Sequence, residues 1–382
     1  MTRRAALGVL GGAASFARPN LTIERLEIFE VKVNRRGNWL LARLTASGGV
    51  TGLGDASHGP KTSRAFLEEL FALVRGRSAF DIEWLRAEAD SLVRQRGYHS
   101  AVAVSAFEQA MWDIQGKALG VPCYELFGGA LRKTIRHYAN INRCTFERTP
   151  AGFAASAERA VRSGFDAIKL APFDGLPKPG TPKFQEGVNL GVACIEAVRK
   201  VLGPKGDLLV DGHSHFDVDS GIALAKRLEP LNLFWLEEVT PPSGLPAIDR
   251  AASMKTAGGE SIYGLREFNE YMRAGSVDIA MPDVKYCGGM LSLKKIAGIA
   301  EGYGIPVAPH GPASPIGNVA AAHVCATLPN FSILELGFGE VDWRGDLVRP
   351  REEFSKGVLA LSDRPGLGIE LNEALARAQS GG

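Results

Sequence analysis

Polar residues recur at a nearly constant interval through the second half of this chain, and each one ends a short apolar run. Successive members are 23 to 27 residues apart, which is the length of one strand-plus-helix unit in a (β/α)₈ barrel. The series is Asp211, Glu237, Glu260, Asp283, His310 and Glu335. We therefore expect six consecutive strands whose C-terminal ends bring these side chains around one mouth, where barrel active sites lie.

Strand and helix signals alternate along the chain from about residue 136. The predicted strands are HYANIN, AIKLAPF, LLVDGH, LFWLEE, TAGGE, VDIAMPD, IPVAPH and SILEL. Helical periodicity lies between them, for example over 185–202 and 289–303. Such alternation predicts a parallel sheet, and eight repeats within about 200 residues favour a closed (β/α)₈ barrel over 136–350.

The residues before the barrel follow a different pattern. The run LTIERLEIFEVKV alternates apolar and polar residues like a half-buried strand, and two further strand signals follow it. Three helices are then predicted, over 62–75, 81–96 and 100–119. We expect an N-terminal α+β unit over 21–135 that packs closely on the barrel, since no linker separates the two.

Composition excludes several classes of protein. With 45% hydrophobic and 23% charged residues, the chain is typical of a globular protein. Its net charge of +2 and the lack of basic runs give no indication of nucleic acid or an anionic membrane as a partner. No apolar stretch is long enough to span a bilayer. The five cysteines lack CxxC spacing, which predicts reduced core residues.

The first twenty residues differ from the rest of the chain. Thr2-Arg3-Arg4 precedes a weakly apolar stretch that ends in small residues, as in a twin-arginine export signal. An over-extended start or a disordered tail over 1–20 explains the same residues. Both interpretations stay open, so the expected location is the cytoplasm or the periplasm.

Carboxylates that converge on one barrel mouth repel each other. The acidic motifs contain no neighbouring cation that would offset this repulsion. A hard divalent cation would do so, and Mg²⁺ is the foremost candidate.

Several separate motifs resemble one known family. They are AFEQAMWDIQGKALG from Ala106, PCYELFGG from Pro122, Asp211-Gly-His213, Trp235-Leu-Glu-Glu238, Gly259-Glu260, Met281-Pro-Asp283 followed by Gly288-Gly289, and Pro309-His310. In order and spacing they resemble the mandelate racemase subgroup of the enolase superfamily, over residues 21 to about 370. One departure is Val239, where the family usually has proline after the acid pair.

The resemblance implies a capping domain over 21–135, the barrel over 136–350, and a C-terminal segment, 351–382, that packs back toward the cap. It also implies one Mg²⁺, replaceable by Mn²⁺, held by Asp211, Glu237 and Glu260. The ion would hold the enediolate that forms when a base removes the proton α to a substrate carboxylate. Such a proton is very weakly acidic, and a cation at the carboxylate lowers the barrier by electrostatic stabilisation.

Further site residues are also implied by the resemblance. His310 would be the base, with Asp283 orienting its imidazole. Glu335, in protonated form, would donate to the substrate carboxylate, although an ordinary strand end explains it as well. In the cap, Arg35, Arg36 and His58 lie on loops that close over the mouth in the family, or are simply solvated.

The second barrel strand departs from a common family pattern. Many members carry Lys-x-Lys there, the second lysine being a base on the opposite face. Here Lys169 matches the first lysine and Ala171 replaces the second. Racemisation by two opposed bases is therefore disfavoured. Lys169 shares a strand face with Ala171 and is expected to face the barrel and contact the substrate carboxylate.

His213 lies two residues after Asp211, on the same face of the strand. A histidine here resembles the galactonate dehydratase type, in which it is the acid that protonates the departing hydroxyl. The alternative is a hydrogen-bonding role behind the metal ligands.

The resemblance, together with these departures from it, implies a Mg²⁺-dependent dehydratase that acts on 2R, galactonate-like acid sugars and gives 2-keto-3-deoxy acids. The alternatives are a cycloisomerase, an epimerase that uses Lys169 as second base, and, from another class, a non-catalytic exported carbohydrate-binding protein. The expected partners are a small-molecule carboxylate and further copies of the chain in a homo-oligomer.

Overall fold

The computed structural model of this chain describes residues 20–57, 64–275 and 277–380. Residues 1–19 of the candidate export signal and His58 of the candidate substrate residues lie outside the described residues. Within the described ranges, no helix is both long enough and apolar enough to cross a lipid bilayer.

The N-terminal unit is a three-stranded antiparallel sheet covered by helices. Its elements are β1 (Ile23–Asn34), β2 (Gly37–Ala46), β3 (Thr51–Asp55), α1 (Arg64–Val74), α2 (Ile82–Arg96), α3 (Ala101–Leu119) and the short α4 (Cys123–Leu126). Helix α3 lies directly on β3, where a Cβ on Gly54 would approach the carbonyl oxygen of Ala106 to 1.8 Å. The three predicted helices are confirmed, each within two residues at either end.

A parallel sheet follows and closes on itself. Its strands are β4 (Thr134–Asn140), β5 (Ala167–Leu170), β6 (Asp207–Asp211), β7 (Trp235–Glu237), β8 (Thr256–Gly258), β9 (Ile279–Ala280) and, as the last, β10 (Leu334–Gly337). Val307 holds the seventh position through parallel bridges to Ala280 and Phe331. Strand β10 pairs in parallel with β4, which completes the barrel. The predicted (β/α)₈ barrel with an N-terminal α+β cap is confirmed.

Helices separate the barrel strands. They are α5 (Pro150–Arg162), α6 (Pro182–Leu202), α7 (Val218–Leu228), α8 (Leu245–Ala251), α9 (Leu265–Arg273), α10 (Met290–Gly302) and α11 (Pro315–Cys325). Three of them begin alike, because the side chains of Thr149, Thr181 and Ser314 each accept a backbone N–H of the first turn and a proline comes next. A hydroxyl cap followed by proline satisfies the free N–H groups at a helix start and sets φ for the first residue.

The strands are shorter than the apolar runs that predict them. Strand β8 ends two residues before Glu260, and β9 ends three residues before Asp283. Gly259, with φ +108°, turns the chain at the end of β8. Glu260 and Asp283 therefore reach the barrel mouth from the loops just beyond their strands.

The C-terminal segment contains short elements and runs back to the cap. These are β11 (Val348–Arg349), β12 (Phe354–Ser355), β13 (Val358–Ala360), β14 (Glu370–Leu371) and α12 (Glu373–Ala378). Glu370 forms an ion pair of 2.8 Å with Lys117 of α3, and Glu373 forms one of 2.8 Å with Arg43 of β2.

One apolar cluster joins the cap to the barrel. It includes Trp39 and Leu41 of the cap sheet together with Met290 and Leu293 of α10. Glu108 of α3 strengthens the same contact, since its carboxylate accepts the backbone N–H groups of Met290 and Leu291 at the start of α10. The cap is thus fixed over one side of the barrel, and its β1–β2 turn reaches the mouth.

Candidate active site

One continuous polar network fills the C-terminal mouth of the barrel. Ion pairs between side chains connect eight residues that the sequence singles out: Lys169, Asp211, His213, Glu237, Glu260, Asp283, His310 and Glu335. They come from β5, β6, β7, β10 and the loops after β6, β8 and β9 and after Val307. The six residues of the interval series therefore do meet at one place, and Lys169 and His213 join them there.

Three of the carboxylates form a group that fits a metal ion. Asp211, Glu237 and Glu260 each offer an oxygen, and these oxygens lie within 4.8 Å of one another. Burial, followed by the charge of Asp211, holds the pKa of Glu237 well above its usual range. A site made only of carboxylate oxygens suits Mg²⁺ or Mn²⁺, and a divalent charge would offset the repulsion among the three acids.

Lys169 is the cation at the base of this group. Its Nζ donates to Oε1 of Glu237 at 2.7 Å and lies 3.0 Å from Oε1 of Glu335 and 3.7 Å from Oδ2 of Asp211. The side chain is only 1% exposed. Burial opposes its charge, but Glu237 and then Glu335 outweigh that effect and raise the pKa of Lys169 well above its usual value. Lys169 faces the barrel interior as expected and is held there as a cation.

His310 forms a pair with Asp283. Nδ1 of the imidazole lies 2.7 Å from Oδ2 of Asp283, while Nε2 lies 3.2 Å from Oε2 of Glu260. Burial lowers the pKa of His310, but Glu260, Glu335 and Asp283 outweigh it and raise the pKa to about 9. A cation bound beside Glu260 would lower the pKa of His310, and it would thereby favour the neutral imidazole that a base requires.

Glu335 is surrounded by groups that donate hydrogen bonds to it or carry positive charge. Its Oε1 accepts the amide N–H of Asn140 at 2.6 Å, its Oε2 accepts the backbone N–H of Gly311 at 3.0 Å, and Lys169 lies beside it. Burial would raise its pKa, but Lys169 and then His310 lower the pKa to about 2. These contacts favour an ionised carboxylate over the protonated donor that the resemblance implies, because a buried lysine and two N–H groups reach its oxygens.

His213 lies at the rim of the mouth between two carboxylates. Its Nε2 is 3.0 Å from Oδ2 of Asp211, and its Nδ1 is 2.6 Å from Oδ1 of Asp174. The charge of Asp211 comes first among the causes that raise the pKa of His213 to about 12, with Asp174 adding to it against burial. The imidazole is thus held as a proton-bearing group.

The two cap arginines make different contacts. Arg36 reaches the barrel mouth, where its Nη1 lies 3.2 Å from Oδ2 of Asp174. Arg35 donates to the carbonyl oxygen of Phe146 at 3.0 Å and stacks on the ring of that residue. Both arginines are thus engaged with barrel loops rather than simply solvated.

Sequence reasoning missed a polar group beside His213. Asp174 lies four residues after the end of β5, and Asn142 and Arg148 both contact it from the loop after β4. The guanidinium of Arg148 also donates to the carbonyl oxygen of Ala171. The only signal in the sequence is an acid in the loop after a barrel strand, and this is common where no site exists.

Lys285 was also missed, although it lies two residues after Asp283. It is 1% exposed, and its Nζ donates to the carbonyl oxygens of Ser57 and Pro312 at 3.3 and 3.2 Å. Nζ is 3.7 Å from Oδ2 of Asp283. Burial would raise the pKa of Asp283, but Lys285 and His310 hold it below its usual value. The motif Asp-x-Lys could have indicated this pair.

Comparison with known proteins places the chain among relatives of the same architecture. Residues 29–128 match the mandelate racemase / muconate lactonizing enzyme N-terminal domain, and residues 152–375 match the enolase C-terminal domain-like family. The D-xylonate dehydratase of Haloferax volcanii is 33% identical over 87% of this chain and 83% of its own. The D-gluconate/D-galactonate dehydratase of Picrophilus torridus is 31% identical over 93% of each chain.

A solved structure agrees with these matches. The mandelate racemase/muconate lactonizing enzyme-like protein from Rubrobacter xylanophilus superimposes with a TM-score of 0.85 and is 34% identical, over 94% of this chain and 97% of that protein.

Proposed function

This chain belongs to the mandelate racemase and muconate lactonizing enzyme family of the enolase superfamily, and we propose that it is an acid-sugar dehydratase. The substrate is a 2R acid sugar that loses its C2 proton and its 3-hydroxyl, as one water, to give a 2-keto-3-deoxy acid. Relatives named as dehydratases of D-xylonate, D-gluconate and D-galactonate support this assignment. The single observation that carries it is a pair of imidazoles, His310 and His213, whose Nε2 atoms each face a carboxylate of one acidic triad.

The two histidines have complementary tasks in an elimination. His310 takes the C2 proton on Nε2, because its Nδ1 is engaged by Asp283. His213 gives a proton to the departing 3-hydroxyl from Nε2, because its Nδ1 is engaged by Asp174. A base and a separate acid are what loss of a proton and a hydroxyl from adjacent carbons requires.

The remaining residues provide charge around the substrate carboxylate. We propose that Asp211, Glu237 and Glu260 hold one Mg²⁺, which when bound would stabilise the negative charge that develops on the carboxylate as the C2 proton leaves. Lys169 supplies a fixed positive charge on the same side of the barrel. Glu335 keeps Lys169 in place by accepting from it.

The epimerase alternative needs a second base, and the geometry disfavours one. Lys169 is paired with two buried carboxylates, and the side chain of Ala171 offers no basic group. A cycloisomerase would have no use for a second imidazole, that of His213, facing the acidic triad from the rim. A non-catalytic carbohydrate-binding protein would have no need of the His310–Asp283 pair, which is intact.

A product-specific screen tests the proposal. The purified chain is incubated with Mg²⁺ and a panel of acid sugars that includes C2 epimers, and 2-keto acid is measured with a carbonyl reagent. Turnover of at least one 2R substrate is expected, with the product identified by NMR as the 2-keto-3-deoxy acid. The variant His310→Asn serves as the inactive control. Formation of an epimer or a lactone without 2-keto acid would refute the dehydratase assignment and favour the isomerase alternatives.

A further inference from the structure

Asp174 connects the cap, the first barrel loop and the histidine at the rim. Its Oδ1 lies 2.6 Å from Nδ1 of His213. Its Oδ2 accepts from Arg36 of the cap at 3.2 Å, from Arg148 at 3.1 Å and from Asn142 at 3.2 Å. Oδ1 of Asp174 therefore contacts His213, while Oδ2 is held in place by three hydrogen-bond donors.

The contact between Asp174 and His213 repeats the one between Asp283 and His310. In each pair a carboxylate takes Nδ1, at 2.6 and 2.7 Å, and Nε2 is left pointing toward the acidic triad. A carboxylate on Nδ1 fixes both the ring plane and the nitrogen that can exchange a proton with a ligand. The barrel mouth thus contains two oriented imidazoles rather than one.

His213 depends on such a partner more than His310 does. The side chain of His213 is 36% exposed, against 9% for His310, so packing restrains its ring less. Its backbone has φ +43°, in the left-handed region, and the backbone N–H donates to Oδ1 of Asp211. The main chain therefore fixes the Cα and Cβ positions of His213, and the contacts of Nδ1 with Asp174 and Nε2 with Asp211 orient the ring.

On the basis of the proposed function, we propose that Asp174 is a positioning residue, which holds the ring of His213 in the orientation that a leaving-group acid needs. Arg36 makes this orientation depend on the cap lying in place over the barrel mouth. Arg36 occupies the β1–β2 turn, which is itself tied to the barrel by the amide of Asn34 donating to the carbonyl oxygen of Glu340 at 3.2 Å. If the turn moves away, Asp174 loses its only cap donor among the described residues. Acid catalysis then weakens while proton abstraction by His310 continues.

The kinetic test separates the two chemical steps. Asp174→Ala should lower formation of 2-keto acid by roughly 100-fold, in the range of a lost general acid, while exchange of the C2 proton with deuterated water falls only a few-fold and KM changes little. Arg36→Gln should lower product formation by about 10-fold, as for loss of an outer hydrogen-bonding partner, and Arg36→Lys should restore part of it. Equal loss of exchange and product in Asp174→Ala would mean a general structural role and would overturn the inference.

The matched control is Asp207→Asn. Asp207 also pairs with an arginine, Arg136, at 2.8 Å, but it begins β6 and lies at the opposite end of the barrel. This variant should keep both exchange and dehydration. Loss of dehydration alone in Asp207→Asn would show that any broken ion pair has this effect, which would also overturn the inference.

A crystallographic readout does not depend on activity. In crystals of Asp174→Ala the imidazole of His213 should be rotated away from Asp211 or spread over several orientations, and an unchanged ring would overturn the inference. If Asp174→Ala does not fold, Asp174→Asn, which keeps the size but removes the charge, is examined in the same way. A wild-type protein that dehydrates no acid sugar would refute the proposed function, and the ring position would still decide whether Asp174 positions His213.

Discussion

Nδ1 of His310 lies 2.7 Å from Oδ2 of Asp283, and the Asp283 side chain is completely buried. Oδ1 of the same carboxylate accepts the backbone N–H of Lys285 at 2.6 Å, so the acid cannot turn away from the imidazole. Nε2 is therefore the atom of His310 available to a ligand in the mouth. Because Nδ1 is engaged and Nε2 faces the mouth, His310 can act as a base only through Nε2, and the first prediction follows from this.

Replacing each histidine should interrupt a different step. His310→Asn should abolish both turnover and exchange of the C2 proton with deuterated water, since no base remains. His213→Asn should lower dehydration by roughly 100-fold or more and leave measurable exchange, because proton removal precedes loss of the hydroxyl. NMR of substrate and product in deuterated water measures both. Dehydration at a near wild-type rate in His213→Asn would instead indicate a supporting role for His213.

Metal removal should abolish activity. Chelation should remove dehydratase turnover, and Mg²⁺ or Mn²⁺ should restore it, because the triad consists only of carboxylates. Glu260→Gln should fold, as circular dichroism can show, and bind the ion at least about 10-fold more weakly in calorimetry. The control is Glu238→Gln, since Glu238 accepts the backbone N–H of Gly259 and is not part of the triad. Full activity of metal-free protein would contradict the metal assignment.

The substrate should have the R configuration at C2 and a free 3-hydroxyl. This expectation comes from the resemblance: in the family the histidine of the seventh strand serves substrates of R configuration at C2, and Ala171 stands where many members carry a base for the opposite face. For a pair of acid sugars that differ only at C2, we expect kcat/KM to favour the 2R member by about 100-fold or more. A 2S substrate processed equally well would require a second base, and Lys169→Met would then identify it or exclude it.

The chain should form a homo-oligomer. This expectation comes from the resemblance to its family. Light scattering on the purified protein at working concentration should give a mass that is a multiple of 40.8 kDa. One monomeric species would contradict it.

Buried neutral histidines should make the fold sensitive to acid. His323 accepts the backbone N–H of Tyr124 and donates to the carbonyl oxygen of Leu367, and burial lowers its pKa to about 4. The unfolded chain, with a histidine pKa near 6.5, binds this proton first, so stability falls as pH drops from about 6.5 toward 4. His137, whose pKa burial also lowers to about 4, adds to the loss, whereas Glu108, whose pKa burial raises to about 7, opposes it.

Denaturant titrations at pH 7.5 and pH 5 can isolate the contribution of His323. The variant His323→Gln keeps an acceptor and a donor but does not titrate. The loss of unfolding free energy between the two pH values should be smaller in this variant by about 2 kcal/mol. An equal loss in both proteins would show that His323 is not the group responsible.

The residues at strand ends were predictable because their period is set by the barrel itself. One strand and one helix separate Asp211 from Glu237 and Glu237 from Glu260, so the sequence carries the geometry directly. The seventh strand is less regular. Pro306 and Pro309 flank Val307 and cannot donate backbone hydrogen bonds, which leaves a bridge where the sequence predicts a strand.

The partners of the site residues were not predictable in the same way. Asp174 and Arg148 lie on loops after different strands, and nothing in their spacing relates them to His213. The contact between Lys169 and Glu335 was also beyond the sequence, since the 3.0 Å distance joins side chains of β5 and β10 inside the barrel. The repeat interval of the polar residues predicts which strand ends meet. Which charged side chains contact each other depends on loop conformation and burial, which the interval does not contain.

The apolar cluster that joins cap and barrel has a consequence for how this architecture changes over time. Trp39 and Leu41 of the cap and Met290 and Leu293 of the barrel share a single interior. Genetic recombination that exchanged whole caps between distant relatives would bring together two surfaces with unmatched contours, and the voids or overlaps would destabilise the product. New specificities should therefore accumulate through substitutions in turns such as the one that carries Arg36, and directed evolution of this enzyme is best confined to those turns.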